Sequence, residues 1–249
     1  ESGGQRSLVG KNTLKPVYAC QAEYVLAPTA HVGFGGHGAP GPELHVYITT
    51  LSTPFYANAA LIRIESQELG YVRYAISPSA DKPVVIVARG QPGGAGVPGA
   101  PGAAGKKGAD ATAECAQGGR GGDGGAGGAG GPGGDGGAGG VVHIHADTAA
   151  SQALMARLQI STPGGAAGGI GPGGPGGEPG AGGAAGPSGK SCFGKAGDPG
   201  ARGPAGPPGP PGHPGMNGAP PTVDVAPRAT LFAKELAVIA QVEATPAPK

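Results

Sequence analysis

The sequence predicts a mainly β fold: a jelly-roll-like β-sandwich platform with an inserted antiparallel bundle of four glycine-rich polyproline-II helices. Three observations predict it. Glycine, 56 of 249 residues, recurs every third residue in four separate runs. Short links join those runs. The segments outside them are short, β-branched or aromatic, and bounded by Gly, Pro or Ser. A strict glycine period separates ordered repeats from low-complexity sequence, because random bias keeps no register. With aromatic residues at 4% and no Trp, little of the chain can be held by an ordinary apolar core.

The platform is expected over 1–89, completed by 141–163 and 219–249. Its strands read as Tyr18 to Tyr24, Val46–Thr50, Ala60–Glu65, Tyr71–Ile76 and Val84–Ala88. The first hairpin is expected over 90–140. Its outgoing tract carries glycine from Gly90 to Gly108 and its returning tract from Gly118 to Gly139 without a miss. Three residues per turn is the period of polyproline II, so each tract presents an edge without side chains, along which another backbone can approach.

The returning tract is stricter. It reads Gly-Gly-x, so Gly118, Gly121, Gly124, Gly127, Gly130, Gly133, Gly136 and Gly139 are each followed by a second glycine. Two of its three edges are bare, which predicts that it is the most surrounded tract and that these eight glycines are its packing positions. Val141–His145 then returns the chain to the sheet, and Leu154–Ile160 alternates as a strand, with a helix as the alternative.

The second hairpin is expected over 164–218, with tracts from Gly165 to Gly189 and from Gly194 to Gly218. The last tract is rich in proline, as in Gly206-Pro207-Pro208-Gly209-Pro210-Pro211-Gly212, and is expected at the periphery. Only Lys190-Ser191-Cys192-Phe193 separates these tracts, enough for a reversal but an unexplained break in a continuous collagen rod. That link favours a bundle within one chain over a triple helix of three chains. At about 3.1 Å per residue the longer tracts would reach about 75 Å. A final strand is read over Leu236–Val242.

Cys115 and Cys192 fall in the two distal turns, which predicts a disulfide between the hairpin tips and an oxidising compartment. Cys20 shares a strand face with Tyr18, Ala22 and Tyr24. It reads as a buried thiol, with an inter-subunit disulfide as the alternative. Glu1 in place of Met suggests a processed chain or an excised fragment.

Other signals are weak. The formal charge of +1 is dispersed, with no basic stripe to suggest nucleic acid. No apolar run is long enough to span a membrane. Ala184-Ala185-Gly186-Pro187-Ser188-Gly189-Lys190-Ser191 fits a relaxed phosphate-loop pattern, but it lies inside the glycine period, without the strand and helix that would aim amides at a phosphate. His143 and His145 share a strand face and His45 lies in another strand. They read as solvent-facing histidines rather than metal ligands. Asp123, Asp135, Arg120 and Lys106 read as solubilising edge charges. No catalytic residue, cofactor or metal is assigned.

The four tracts resemble the glycine-rich polyproline-II helix bundle proteins, among them the snow flea antifreeze protein and tip adhesins of T-even-like phages, and they also resemble bacterial collagen-like surface proteins. The likeness lies in glycine spacing over about half the chain and implies fold more than function. The antifreeze likeness would imply a flat, small-residue surface facing ice. The adhesin likeness would imply receptor contact through distal loops. The resulting expectation is a structural subunit of an extracellular filament, sheath or surface layer, with copies of itself as partner through lateral packing or through strand exchange, the N-terminal segment to Pro16 and the C-terminal segment from Val223 supplying strands to adjacent subunits. The second reading is a surface adhesin, with surface glycans as partner and the bundle as a rigid spacer.

Overall fold

A computed structural model describes residues 23–246 of the chain. The described residues are mainly β, with eight strands in two sheets. The small sheet has the order β1-β5-β7, from Glu23–Leu26, Val84–Ala88 and Leu158–Ser161. The large sheet has the order β4-β3-β2-β6-β8, from Tyr71–Ser77, Ala59–Ser66, Glu43–Leu51, Val141–Asp147 and Thr222–Ala226. Tyr18, Cys20 and the segment to Pro16 lie outside the described residues.

Alternation explains the strands. In β2, Leu44, Val46 and Ile48 turn inward while Glu43, His45 and Tyr47 turn outward, and in β6 Val142, Ile144 and Ala146 do the same against Val141, His143 and His145. These inward residues join Ile62 and Ile64 of β3 and Val84 and Ile86 of β5 in one core, shared by both sheets. Complete burial of an Ile or Val stabilises by about 1.5–3 kcal/mol, so this small core anchors the glycine tracts, which bury little.

The strand directions correct the jelly-roll expectation. A jelly roll is built from antiparallel strands, whereas β1, β5 and β7 are mutually parallel, as are β2, β6 and β8. Among the described strands only β2-β3 and β3-β4 are antiparallel. The reason is the way the chain travels. Three times it leaves a small-sheet strand, makes an excursion and re-enters the large sheet: β1 to β2 through 27–42, β5 to β6 through 89–140, and β7 to β8 through 162–221. Each passage advances one place in both sheets, so every strand of a set enters from the same end. Parallel strands need long crossovers, and the glycine tracts lie within two of these excursions.

Two local expectations also change. Leu236–Val242 is not a strand; Leu236–Glu243 is helix α3, preceded by the short helix α2 over Arg228–Leu231 (α1 precedes both, at Ser151–Met155). The run has one Leu and two Ala against three β-branched residues, so packing rather than propensity decides for the helix. A helix lets Ile239 and Val242, three residues apart, join Leu231 and Phe232 over Leu51 on the outer face of the large sheet. The segment Leu154–Ile160 divides, its start completing α1 and its end forming β7. The C-terminal segment from Val223, expected to supply a strand to a neighbour, pairs with β6 of its own chain instead.

Candidate functional site

The four tracts carry no regular strand or helix assignment, yet their backbones are joined by ladders with a repeat of three residues. Second-tract glycines donate to the first tract in antiparallel order, Gly122 to Lys106, Gly125 to Ala103 and Gly128 to Ala100, each at 2.7 Å. First-tract glycines donate to the third tract in parallel order, as Gly99 to Pro172 and Gly102 to Pro175. Third-tract glycines donate to the second, and fourth-tract glycines to the third, both antiparallel, as Gly177 to Gly125 and Gly203 to Gly177. The outgoing tracts thus form one row, the returning tracts another, and the rows run in opposite directions.

Gly118, Gly121, Gly124, Gly127, Gly130, Gly133, Gly136 and Gly139 each donate their N–H to the fourth tract, from Lys195 to Met216, at 2.8–3.0 Å. A Cβ on any of them would overlap a backbone carbonyl oxygen of the third tract or, at Gly139, that of Thr162. Tract glycines do not serve left-handed backbone, since the only described glycines with positive φ are Gly35 and Gly70. They serve close approach. Backbone N–H and C=O groups that such close approach takes out of water must be paired, and inside the bundle the tracts are one another's partners.

The glycine count missed a fifth segment. Gly35, Gly38 and Gly41 keep the same period ahead of β2. Gly38 donates to Asp135 and Gly41 to Ala138 at 2.8 and 2.7 Å, while Gln91 and Gly94 of the first tract donate back to Ala39 and Gly36 at 2.9 Å. It lies parallel to the second tract and extends the returning row. The signal was in the sequence, as three glycines at the right spacing, but three is a short run beside seven, eight and nine.

The charges along the bundle do more than solubilise it. Oδ1 of Asp123 accepts the N–H of Ala201 at 2.7 Å, and Oδ1 of Asp135 accepts that of His213 at 2.7 Å. Asp110 accepts from Ala184 at 2.6 Å. Each carboxylate ties its own segment to another tract through an N–H that the glycine ladder leaves open. Asp123 also pairs with Arg120, and Asp110 with Lys107. Lys106, by contrast, makes no such ion pair among the described residues.

Asp135 faces His213 and His37. The backbone N–H of His213, then its ring, hold the Asp135 carboxyl below the usual carboxylate range. A depressed folded value means that the contribution is present above the unfolded pKa of about 3.9 and lost as pH falls through the lower folded one. Urea midpoints should therefore favour the wild type over Asp135→Ala near pH 5, with the gap closing towards pH 2. A gap independent of pH would show that the carboxylate charge is not what matters.

Cys115 and Cys192 are joined as a disulfide across the distal tips, with Cα atoms 5.6 Å apart. The Cys115 N–H donates to Pro187 and that of Gly189 to Cys192. Cys115 itself turns the chain, with a φ of 58°. The phosphate-loop-like stretch runs from the third tract into this tip, and its Gly186 and Gly189 amides are already committed to Ala116 and Cys192.

The histidines lie on the outer face of the large sheet, in register across β2 and β6. His45 stacks on His143 and His145 at 5.1 and 5.4 Å, and Tyr47 stacks on His145 at 4.7 Å. His45 and His145 share a hydrogen bond at 3.1 Å, and Glu43 lies 3.2 Å from His143. Burial, then neighbouring His45, keeps His145 below the ordinary histidine value. Among the described residues no group of three or more His, Cys, Asp or Glu side chains is placed to hold a metal ion. Beside this row, Glu235 at the start of α3 accepts from Arg63 at 2.8 Å and Tyr74 at 2.7 Å. Burial and then that bond push the Tyr74 phenol up to about 12. These contacts pin the C-terminal helices to the sheet.

No family model matches the chain, no curated protein is similar to it, and no solved structure matches it. No described helix is long and apolar enough to cross a membrane.

Proposed function

We propose that the tracts are polyproline-II helices in a two-row antiparallel bundle, and that the protein is a structural subunit of an extracellular filament, sheath or surface layer. The three-residue ladder and the close glycine approach support the bundle, since both are what a helix of three residues per turn provides. The disulfide at the tips fits an oxidising location.

The observation that carries the assembly reading is the pair of edges of the large sheet, with which no other described strand pairs. At one end β4 exposes Val72, Tyr74 and Ile76; at the other β8 exposes Val223 and Val225. Edge strands that are meant to stay single are normally charged, short or covered; here each edge carries a single charge, Arg73 on β4 and Asp224 on β8, among mostly apolar exposed side chains. The pairing steps along the sheet leave β4 and β8 pointing the same way. A simple translation can therefore set β8 of one copy beside β4 of the next, which is a head-to-tail contact that does not close and so makes an open filament.

Negative-stain imaging and sedimentation of the full chain test this. Filaments or a concentration-dependent series of oligomers are expected, and Val225→Lys, a charge on the edge strand, is expected to leave a folded monomer. A wild-type protein that stays monomeric at high concentration would remove the assembly reading while leaving the bundle untouched.

A further inference from the structure

The segment Gly33–Pro42 covers only the sheet-proximal end of the side of the bundle where it lies. Beyond it, the first and second tracts continue to the tip with the same backbone groups turned to the same side. Gln91 and Gly94 donate to the segment and are buried. The next residues of that series, Val97, Ala100, Ala103, Lys106 and Ala109, are exposed, and among the described residues no backbone acceptor takes their N–H groups. On the second tract the carbonyls of Asp135 and Ala138 accept from the segment. Those of Pro132, Ala129, Ala126 and Asp123, next in series, accept from no described backbone donor.

Two further features show that this edge is kept ready for a backbone. Proline stands at 92, 98 and 101 of the first tract but never at 97, 100, 103, 106 or 109, so every outward donor is preserved. Second-tract glycines Gly134 and Gly137 are bare because carbonyl oxygens of Gly36 and Ala39 fill the place of a Cβ. Gly125, Gly128 and Gly131 are equally bare, although a Cβ there would meet only the first tract, its amide nitrogens at 3.1–3.2 Å and its carbonyl oxygens at 3.3–3.5 Å. That is tight, but it is not the overlap that excludes a side chain at Gly134. The opposite edge differs: the fourth tract has seven prolines between Gly194 and Gly218, which cannot donate.

We propose that the exposed groove between the first and second tracts binds an extended peptide with glycine at every third residue, lying parallel to the second tract and continuing the line of Gly33–Pro42. The chemistry follows from the part already filled. The occupant must offer a glycine N–H to the second tract and, from the next residue, a carbonyl to the first, as Gly38 and Ala39 do. A second folded copy does not fit through its own tracts, because their periodic glycine N–H groups are already donated within the bundle. The ligand is a glycine-periodic, collagen-like segment recognised through its main chain, a backbone-addition mode related to β-augmentation. The inference needs only the observed ladder and not the filament reading.

The test uses the full chain and a synthetic peptide of six Gly-Ala-Pro repeats, the unit at Gly38-Ala39-Pro40, with Ala-Ala-Pro repeats as control. Saturable binding of the glycine peptide alone is expected. Replacing both Ala100 and Ala103 by proline removes two donors while keeping a φ that extended tracts accept, and should weaken binding by about tenfold or more. In the wild type, amide exchange at Val97, Ala100, Ala103 and Lys106 should slow on adding peptide, a measurement that holds even where the double variant folds poorly. Absence of binding at millimolar peptide, equal binding of the control, or unchanged exchange at these amides would overturn the proposal. Self-association that the two prolines abolish would overturn it too, assigning the groove to a second copy.

Discussion

Replacing Gly127 by alanine is expected to cost about 3 kcal/mol, the upper end of the usual overpacking range because nothing has room to relax, and to loosen the bundle rather than adjust it. The added Cβ would coincide with the Gly174 carbonyl oxygen of the third tract. The Gly127 N–H meanwhile holds Pro204 of the fourth tract at 2.9 Å. Moving the second tract aside to make room breaks contacts on both sides, and neither neighbour is a flexible side chain that could swing away. Gly169 supplies the control, because a Cβ there meets nothing within 4 Å and its φ is not positive. Gly169→Ala should be neutral or stabilise by about 0.4–1 kcal/mol through the unfolded chain. Urea denaturation of both variants separates the cases, and equal stabilities would mean that close backbone approach does not hold this protein together.

The contrast between these glycines shows what was legible in the sequence. Period alone located the four tracts, and the doubled glycines singled out the second, which bonds to the first, third and fourth tracts and to the segment ahead of β2. Period could not say which bare edge meets which neighbour. Gly125 and Gly134 look identical in sequence, yet only the latter has a carbonyl oxygen in the place of its Cβ. Strand positions were readable from β-branched runs, but strand direction was not. It depends on the sheet into which each excursion returns, a property of the whole path. The aspartates were misjudged for a related reason. A lone acidic residue at an x position looks solvated until the neighbouring tract places an N–H in front of it, as Ala201 does for Asp123. At the C-terminus the run Leu236–Glu243 satisfied either period. The outer face of the large sheet, with Leu51 needing cover, decided for a helix.

Opening the disulfide is the second large effect expected, and its consequences should be spatially graded. Cys115 and Cys192 are 77 residues apart in sequence, and the loop-entropy relation gives about 4.5 kcal/mol for closing a loop of that size. Cys115→Ser with Cys192→Ser should therefore lower stability by about 2–5 kcal/mol, as should reduction of the wild type. The core between the sheets does not touch this bridge, whereas the tips have few other ties: Phe193 is 83% exposed, and the Cys115 N–H bond to Pro187 is among the last rungs of the ladder between the first and third tracts. Hydrogen exchange should show fraying that begins at the tip amides of Ala111, Cys115 and Gly189 and fades towards Gly90 and Gly165, where the tracts join the sheets. This gradient separates a tip clamp from a general stabiliser. If exchange rises uniformly along the tracts, the ladders act as one cooperative unit and the bridge serves only to restrict the unfolded chain. If stability does not change at all, the glycine ladders are sufficient by themselves.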